Sequence, residues 1–245
     1  MTEFLVTPEG RRIALNRLDG RGPAVVFLGG FRSDMTGTKA LFLEEWCRSR
    51  GRAFVRFDYS GHGQSGGAFQ DGSIGDWAAD AASVLATVAG PVVLVGSSMG
   101  GWISLLLSRR LPARIAGLVT IAAAPDFTED LMWAGWDDAT RARLIADGVV
   151  HEPSDYGDPY PITRRLIEDG RRHLVLREPL DLPFPVRMLQ GSADVDVPPA
   201  HALRLFDHAS GPDLRLTIVK GADHRFSTPD CLDLIGRAVD ELSAA

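Results

Sequence analysis

The chain has 245 residues, 45% of them hydrophobic and 24% charged, with 26 Gly and 15 Pro, a composition that excludes a disordered chain, a collagen-like repeat and a coiled coil. Its 26 basic against 32 acidic residues leave a formal charge of −6, the wrong sign for a protein that grips a phosphate backbone, so no nucleic acid partner is expected. A chain of this length makes one α/β domain or two small ones and buries roughly 70–75% of its unfolded surface, enough for a dry core around a reactive site.

The first segment, Phe4-Leu5-Val6, then Pro8-Glu9-Gly10, then Arg12-Ile13-Ala14-Leu15, predicts a hairpin closing one edge of a sheet. Apolar, largely β-branched runs follow at Ala24–Leu28, Ala53–Phe57, Pro91–Val95, Gly117–Ile121, Val186–Leu189 and Leu214–Val219, and each reads as a strand buried on both faces. Residues 37–50, 73–89, 99–111, 199–209 and 229–243 carry apolar positions at helical spacing and often open after Thr, Ser or Pro. The alternation predicts an α/β fold with a mostly parallel sheet covered by helices. Residues 126–183 break the rhythm. They hold no convincing strand, but Met132, Trp133, Trp136, Tyr156 and Tyr160 stand there among charges and prolines, which predicts a small helical cap inserted into a single domain spanning residues 1–245.

Cys47 and Cys231 are the only cysteines and show no Cys-x-x-Cys spacing, so neither a disulfide framework nor a thiolate metal site is suggested. Met1–Val6 has no basic region leading into a long apolar run, and the longest apolar stretches are strand-sized. No leader or membrane span is read, and the cytoplasm is the expected location.

Chemistry enters after the strand ending at Val95. Gly96-Ser97-Ser98-Met99-Gly100-Gly101 leads into the helical pattern Trp102–Leu107, which is a G-x-S-x-G elbow in its strand-turn-helix setting. The turn exposes Ser98, and glycines at 96 and 100 leave the space such a tight turn needs. A serine hydroxyl needs a base to become a nucleophile, and the base needs an orienting acid. The strand ending at Gln190 runs into Gly191-Ser192-Ala193-Asp194, and the strand ending at Val219 runs into Lys220-Gly221-Ala222-Asp223-His224. Asp194 is the candidate acid and His224 the candidate base. The order serine, acid, histidine is that of α/β-hydrolases. Asp126, after the strand ending at Ile121, is the next candidate acid, followed by Asp196; Asp223 reads as a loop aspartate bonding its own backbone. His62, His151, His173, His201 and His208 read as surface or hydrogen-bonded histidines, the last two on a surface helix.

An oxyanion requires two aimed donors, one from the residue after the nucleophile and one from the loop after an earlier strand. The amides of Met99 and of Phe31, in Gly29-Gly30-Phe31-Arg32, are the candidates. Asp58–Ser65 is glycine-rich but lacks both the P-loop lysine and the dinucleotide spacing, and reads as a structural turn.

On these residues the chain resembles the α/β-hydrolase superfamily from Ala24 to the C-terminal helix. More narrowly, Gly37-Thr38-Lys39-Ala40, Arg56-Phe57-Asp58-Tyr59-Ser60-Gly61, Gly96–Trp102 and Asp223-His224-Arg225 are similar to the group of the mitochondrial palmitoyl-protein thioesterase, which also hydrolyses mycophenolic acid acyl-glucuronide. In that group the position of Gly29 is often proline, and in many other relatives histidine. With no presequence in view, a bacterial-type relative is expected.

The resulting expectation is a serine hydrolase that cleaves a small-molecule carboxylic ester or thioester through an acyl-enzyme, with no metal or organic cofactor. Met132, Trp133 and Trp136 are candidates for lining an acyl pocket, with packing of the cap as their alternative role. Arg164, Arg165, Arg171, Arg172 and His173 are a basic cluster that either meets an anionic group of the substrate or forms a solvated face. The competing readings are a non-catalytic binding module on the same fold, and a C–C bond hydrolase or cofactor-free haloperoxidase using the same triad. A dehalogenase is disfavoured because its nucleophile is a carboxylate where Ser98 stands. Nothing in the sequence reports an oligomeric state.

Overall fold

The computed structural model describes residues 1–152 and 159–243. Strands β1 (Glu3–Val6) and β2 (Arg12–Leu18) form the expected antiparallel hairpin, closed by a turn in which the Gly10 amide donates to the Thr7 carbonyl at 2.9 Å. Strand β3 (Arg21–Leu28), helix α1 (Thr38–Ser49), strand β4 (Arg52–Phe57), helix α2 (Ile74–Ala86), strand β5 (Val92–Ser97), helix α3 (Met99–Arg110) and strand β6 (Ile115–Ile121) follow in alternation. After the cap the alternation resumes with β10 (Val186–Gly191), α6 (Pro199–His208), β12 (Leu214–Val219) and α7 (Pro229–Ser243), numbers 7 to 9 and 11 being used for the short strands described below. The main sheet has eight strands in the order β1-β2-β4-β3-β5-β6-β10-β12, and all pairs from β4 to β12 are parallel.

Period-two alternation explains why both faces are covered. In β5, Val92 and Leu94 belong to one apolar cluster with Trp77 of α2 and Trp102 of α3, while Val93 and Val95 belong to the opposite cluster with Leu43 of α1 and Ile235 of α7. Each such side chain taken out of water contributes about 1.5–3 kcal/mol, so the central strands are rigid supports for the loops at their C-terminal ends. β12 departs from the sequence reading. It is an edge strand, with Arg215, Thr217 and Ile218 exposed, because among the described residues no further strand pairs with its outer edge.

The cap also departs from it. Residues 126–183 do carry helices, α4 (Asp138–Asp147) and α5 (Arg164–Gly170), and a wide helical turn at Thr128–Trp133. They carry strands as well: β7 (Val149–Glu152) pairs antiparallel with β8 (Tyr160–Thr163), and β9 (Leu180–Asp181) pairs with β11 (Ala209–Ser210). Val149-Val150 and Pro161-Ile162 are apolar runs too short to stand out among the surrounding charges. Tyr156 lies outside the described residues. No helix among the described residues is long and apolar enough to cross a membrane, and Cys47 and Cys231 are buried free thiols.

Asp169 of α5 fastens the cap to the body. Its carboxylate accepts from the Gly75 amide at the start of α2 at 2.7 Å and from Arg172 at 2.7 Å, with His173 Nε2 at 3.6 Å. Burial alone would raise its pKa, but the hydrogen bonds from His173, the Gly75 amide, Arg172 and Ser73 prevail and hold the carboxyl well below the usual range. A depressed folded-state pKa gives stability that is full above the unfolded value and is lost as pH falls below it. Asp169→Asn is therefore expected to lower the unfolding free energy by about 1–3 kcal/mol at pH 7. In urea titrations the gap from the native protein should shrink steadily below about pH 4.

Candidate active site

Ser98 sits between β5 and α3 in a conformation that side chains rarely adopt, φ +53° and ψ −118°. Such backbone strain costs about 1–3 kcal/mol and persists only when its surroundings over-determine it. Here the Ser98 amide donates to the Ile121 carbonyl at 2.9 Å, and the Ser98 carbonyl accepts from the amides of Gly101 at 2.9 Å and Ala124 at 3.1 Å. The flanking glycines are required sterically: a Cβ at Gly100 would lie 2.1 Å from the Leu28 carbonyl oxygen, and one at Gly96 would lie 2.4 Å from the Gly100 carbonyl oxygen.

The loops after β10 and β12 bring the other two residues to it. His224 Nε2 is 3.1 Å from Ser98 Oγ, and His224 Nδ1 is 2.9 Å from Asp194 Oδ2. The Asp194 carboxylate is fully buried. Its Oδ1 accepts from the amides of Asp196 at 3.0 Å and Val197 at 2.8 Å, and its Oδ2 also accepts from Gln190 Nε2 at 2.9 Å. Those donors fix its orientation toward the imidazole.

The competing acids are placed elsewhere or differently. Asp126 is buried, but its carboxylate accepts from the amides of Val175 at 2.7 Å and Leu176 at 3.0 Å and meets Arg177 at 3.2 Å. It clasps the far end of the cap, and burial raises its pKa against the pull of those donors. Asp223 accepts from the Phe226 amide of its own turn at 3.1 Å. Asp196 stands close: one ligand atom each of Asp194, Asp196 and His224 lie within 4.8 Å of one another. A cation there would compete with the amides that Asp194 already accepts from and with the Ser98 contact of His224.

The loop after β3 lies against Ser98. A Cβ at Gly30 would stand 3.4 Å from the Ser98 Cβ and 4.0 Å from its Oγ. The Phe31 ring is fixed edge-to-face against Phe69 at 4.9 Å, Phe127 at 5.7 Å, Tyr160 at 5.9 Å and Trp77 at 6.0 Å. Arg32, at φ +54°, donates its amide to His62 Nε2 at 3.3 Å, while His62 Nδ1 lies 3.1 Å from the Ser60 carbonyl. That pairing assigns the proton to Nδ1, and burial, the largest influence, lowers the pKa of His62 in keeping with a neutral ring. Met99 is the first residue of α3 and is buried.

Met132, Trp133 and Trp136 are partly buried and pack against the core cluster. The Trp133 ring is faced by Arg171 at 4.4 Å and Arg141 at 5.6 Å and meets Trp136 at 6.1 Å. The basic cap residues are matched by acids: Arg164 with Glu168, Arg165 with Asp76, Arg171 with Glu129, and Arg172 and His173 with Asp169. Of the two possibilities for that cluster, the structure carries ion pairing at the cap surface. His201 is buried, not on a surface, and its Nε2 lies 2.7 Å from the Pro125 carbonyl. Asp58 supports the structural-turn reading, accepting from the amides of Met35 at 2.6 Å and Gln64 at 2.8 Å.

Sequence reasoning missed two residues at this site. Lys39 Nζ donates to the Arg225 carbonyl at 2.5 Å, tying α1 to the loop that carries His224; burial pulls its pKa down to about 8, with the Asp223 charge acting in the opposite direction. The second is Arg32, whose exposed guanidinium stands 5.4 Å from the Phe69 ring and 5.2 Å from the Tyr160 ring. Only membership of the Gly37–Ala40 run pointed toward Lys39, and nothing in the spacing pointed to Arg32.

Residues 22–153 match the family described as serine aminopeptidase, S33. Over 242 residues the chain is 35% identical to the mitochondrial palmitoyl-protein thioesterase ABHD10 of Rattus norvegicus, covering 98% of this chain and 81% of that protein. For the Homo sapiens protein of the same name the figures are 33%, 98% and 79%. Among solved structures, a protein from Agrobacterium vitis S4 named as a hydrolase superposes with a TM-score of 0.96 at 43% identity, covering 99% of this chain and 98% of that one. The mouse alpha/beta hydrolase domain-containing protein 10 superposes with a TM-score of 0.91 at 34% identity, with the same coverage.

The elbow yields a test of stability. Gly100→Ala forces a methyl group onto the Leu28 carbonyl and is expected to cost about 3 kcal/mol or more, read as a lowered urea midpoint at unchanged slope.

Proposed function

Because the chain belongs to the serine aminopeptidase S33 family of α/β-hydrolases, we propose that it hydrolyses carboxylic esters or thioesters of small molecules through an acyl-enzyme on Ser98. The observation that carries this reading is the continuous chain of contacts from Ser98 Oγ to His224 at 3.1 Å and from His224 to the buried Asp194 carboxylate at 2.9 Å. A neutral His224 with its proton on Nδ1, where Asp194 accepts it, leaves Nε2 free to take the Ser98 proton. The alkoxide attacks the acyl carbon, and the negative charge moves to the carbonyl oxygen. The amides of Phe31 and Met99 receive that oxygen: one follows Gly30, whose backbone lies against Ser98, and the other begins α3, where the helix dipole favours negative charge. Collapse expels the alcohol or thiol, protonated by His224. Water then repeats the sequence on the acyl-enzyme, releasing the acid and restoring Ser98. Asp194 keeps its negative charge throughout, holding the imidazole tautomer and stabilising the imidazolium.

The relatives named as palmitoyl-protein thioesterases support an acyl thioester as one substrate class. An acyl chain fits this reading beside the ring cluster of Phe31, Phe127 and Tyr160, with Met132, Trp133 and Trp136 as the cap's contribution to the apolar lining. No metal or organic group has a role in the sequence of steps.

A fluorophosphonate probe is expected to label Ser98, located by mass spectrometry, and Ser98→Ala to abolish both labelling and hydrolysis of p-nitrophenyl esters and an acyl thioester. Exchange of the two buried aspartates separates the acid from the clasp. Asp194→Asn should reduce kcat by roughly 10³–10⁴ with little change in Tm, whereas Asp126→Asn should cost about 1–3 kcal/mol in urea unfolding and leave kcat of the folded protein within about tenfold. Full turnover in Asp194→Asn would overturn the assignment of the acid.

A further inference from the structure

At the opposite end of the sheet the backbone gathers cations. Arg21 begins β3 and Arg52 begins β4, and the two are partners across the parallel pair. The Arg21 amide donates to the Gly51 carbonyl at 2.8 Å, and Arg50 ends α1 one residue earlier. Strand register and one tight connection therefore place three arginines around a single concavity of about 360 Å³, lined by Arg21, Gly22, Arg50, Gly51, Arg52 and Asp240. The buried Trp46 ring supports it from below, with Arg50 at 4.1 Å and Arg52 at 5.9 Å from the ring centroid.

The charges do not balance. Asp240 of α7 lies 3.5 Å from Arg50 Nε and 3.4 Å from Arg52 Nη2, both long for a charge-assisted hydrogen bond. Among the described residues no other carboxylate reaches these arginines, and Arg21 has no acidic partner at all. The lining thus carries three arginines against one aspartate, an excess of two positive charges in a protein that is negative as a whole, and Arg50 Nη1 donates to Ser49 Oγ at 3.2 Å. The arginines of the cap at 164, 165 and 171 are, by contrast, each matched by an acid.

We propose that this pocket binds a phosphate group. A carboxylate brings one charge and two oxygens, which Asp240 already supplies. A phosphoryl group brings close to two charges and three terminal oxygens, which suit several planar guanidinium forks at once. The concavity is shallow and open to solvent, so the molecule that carries the phosphate can extend out of it. The site is distinct from the hydrolytic one: β3 has eight residues, and at about 3.3 Å per residue its length separates Arg21 from the Gly29–Phe31 loop by roughly 25 Å. The inference is independent of the ester-hydrolase reading.

The test is calorimetric titration of the full chain with pyrophosphate, ionic strength held constant with sodium chloride so that screening is the same throughout. Saturable binding is expected, weakened at least about tenfold in Arg21→Gln/Arg50→Gln and tightened several-fold in Asp240→Asn, which removes the competing carboxylate. Tm and ester turnover without pyrophosphate should match the native protein in all variants, which shows that they fold. Should the double variant fail to fold, Arg21→Gln alone, which breaks no ion pair, and Asp240→Asn still give opposite expected shifts. Flotation with phosphatidylcholine vesicles, with and without phosphatidic acid, distinguishes the source of the phosphate. Capture that pyrophosphate displaces assigns the pocket to a lipid headgroup, and pyrophosphate binding without capture assigns it to a soluble phosphate. No saturable heat up to about 10 mM, or equal affinity in native and arginine variants, would overturn the proposal.

Discussion

The candidate site depends on one packing constraint, the approach of the α3 backbone at Gly100 to the Leu28 carbonyl at the end of β3. That contact sets how sharply the chain turns after β5, and the sharp turn holds Ser98 at φ +53° with its hydroxyl clear of the sheet. The same approach brings the loop after β3 against the nucleophile, because Gly30 follows Leu28 by two residues. Ser98 and the candidate oxyanion loop are thus positioned by a single steric relation between the start of α3 and the end of β3. Ile121 completes it from β6, the strand on the other side of β5, by accepting the Ser98 amide hydrogen bond.

Buried carboxylates do different work according to what donates to them. Asp194 accepts from loop amides and Gln190 and presents an oxygen to the His224 imidazole, so its charge faces another side chain of the candidate site. Asp126 accepts from the amides of Val175 and Leu176, so its charge is spent on fixing backbone where the cap returns to the body. Asp80 and Asp169 are of the second kind, the former holding Ser60 and Arg11, the latter the start of α2. Each lies between segments distant in sequence, and a buried charge left without its donors is strongly unfavourable. The cap is therefore attached by polar contacts of defined geometry in addition to apolar burial.

The sequence made the alternation of strands and helices legible because strands covered on both faces are continuous apolar runs, as in Val92–Val95. Ser98, Asp194 and His224 were legible for a related reason: each follows the end of an apolar run, whether central as in β5 and β10 or at the edge as in β12, so strand boundaries marked the positions that converge. The cap strands β7 and β8 were not, since four-residue strands in a polar insertion carry too little periodicity to separate from turns. The edge character of β12 was equally hidden, because an apolar run reports burial propensity and not the neighbours that supply it. Lys39 and Arg32 escaped because their partners, the Arg225 carbonyl and the rings of Phe69 and Tyr160, are set by tertiary packing across long sequence separations.

A parallel sheet has two chemically different ends, and this chain uses them differently. At the C-terminal ends of β3, β5, β10 and β12 the loops carry Phe31, Ser98, Asp194 and His224, a set whose proposed roles require close mutual geometry, and each is restrained by hydrogen bonds or ring packing. At the N-terminal ends of β3 and β4 the residues are exposed or half-buried arginines whose spacing is set by strand register and the Arg21–Gly51 backbone bond. Phosphate recognition by guanidinium groups tolerates that looser arrangement, because several donors share one highly charged acceptor and small displacements are absorbed by side-chain rotation. Strand β3 begins at the arginine pocket and ends at the loop beside Ser98, passing through both core clusters on the way. Its interior residues are buried from Ala24 to Leu28, so a ligand held at Arg21 and a substrate held at Ser98 would meet the same rigid element at its two ends.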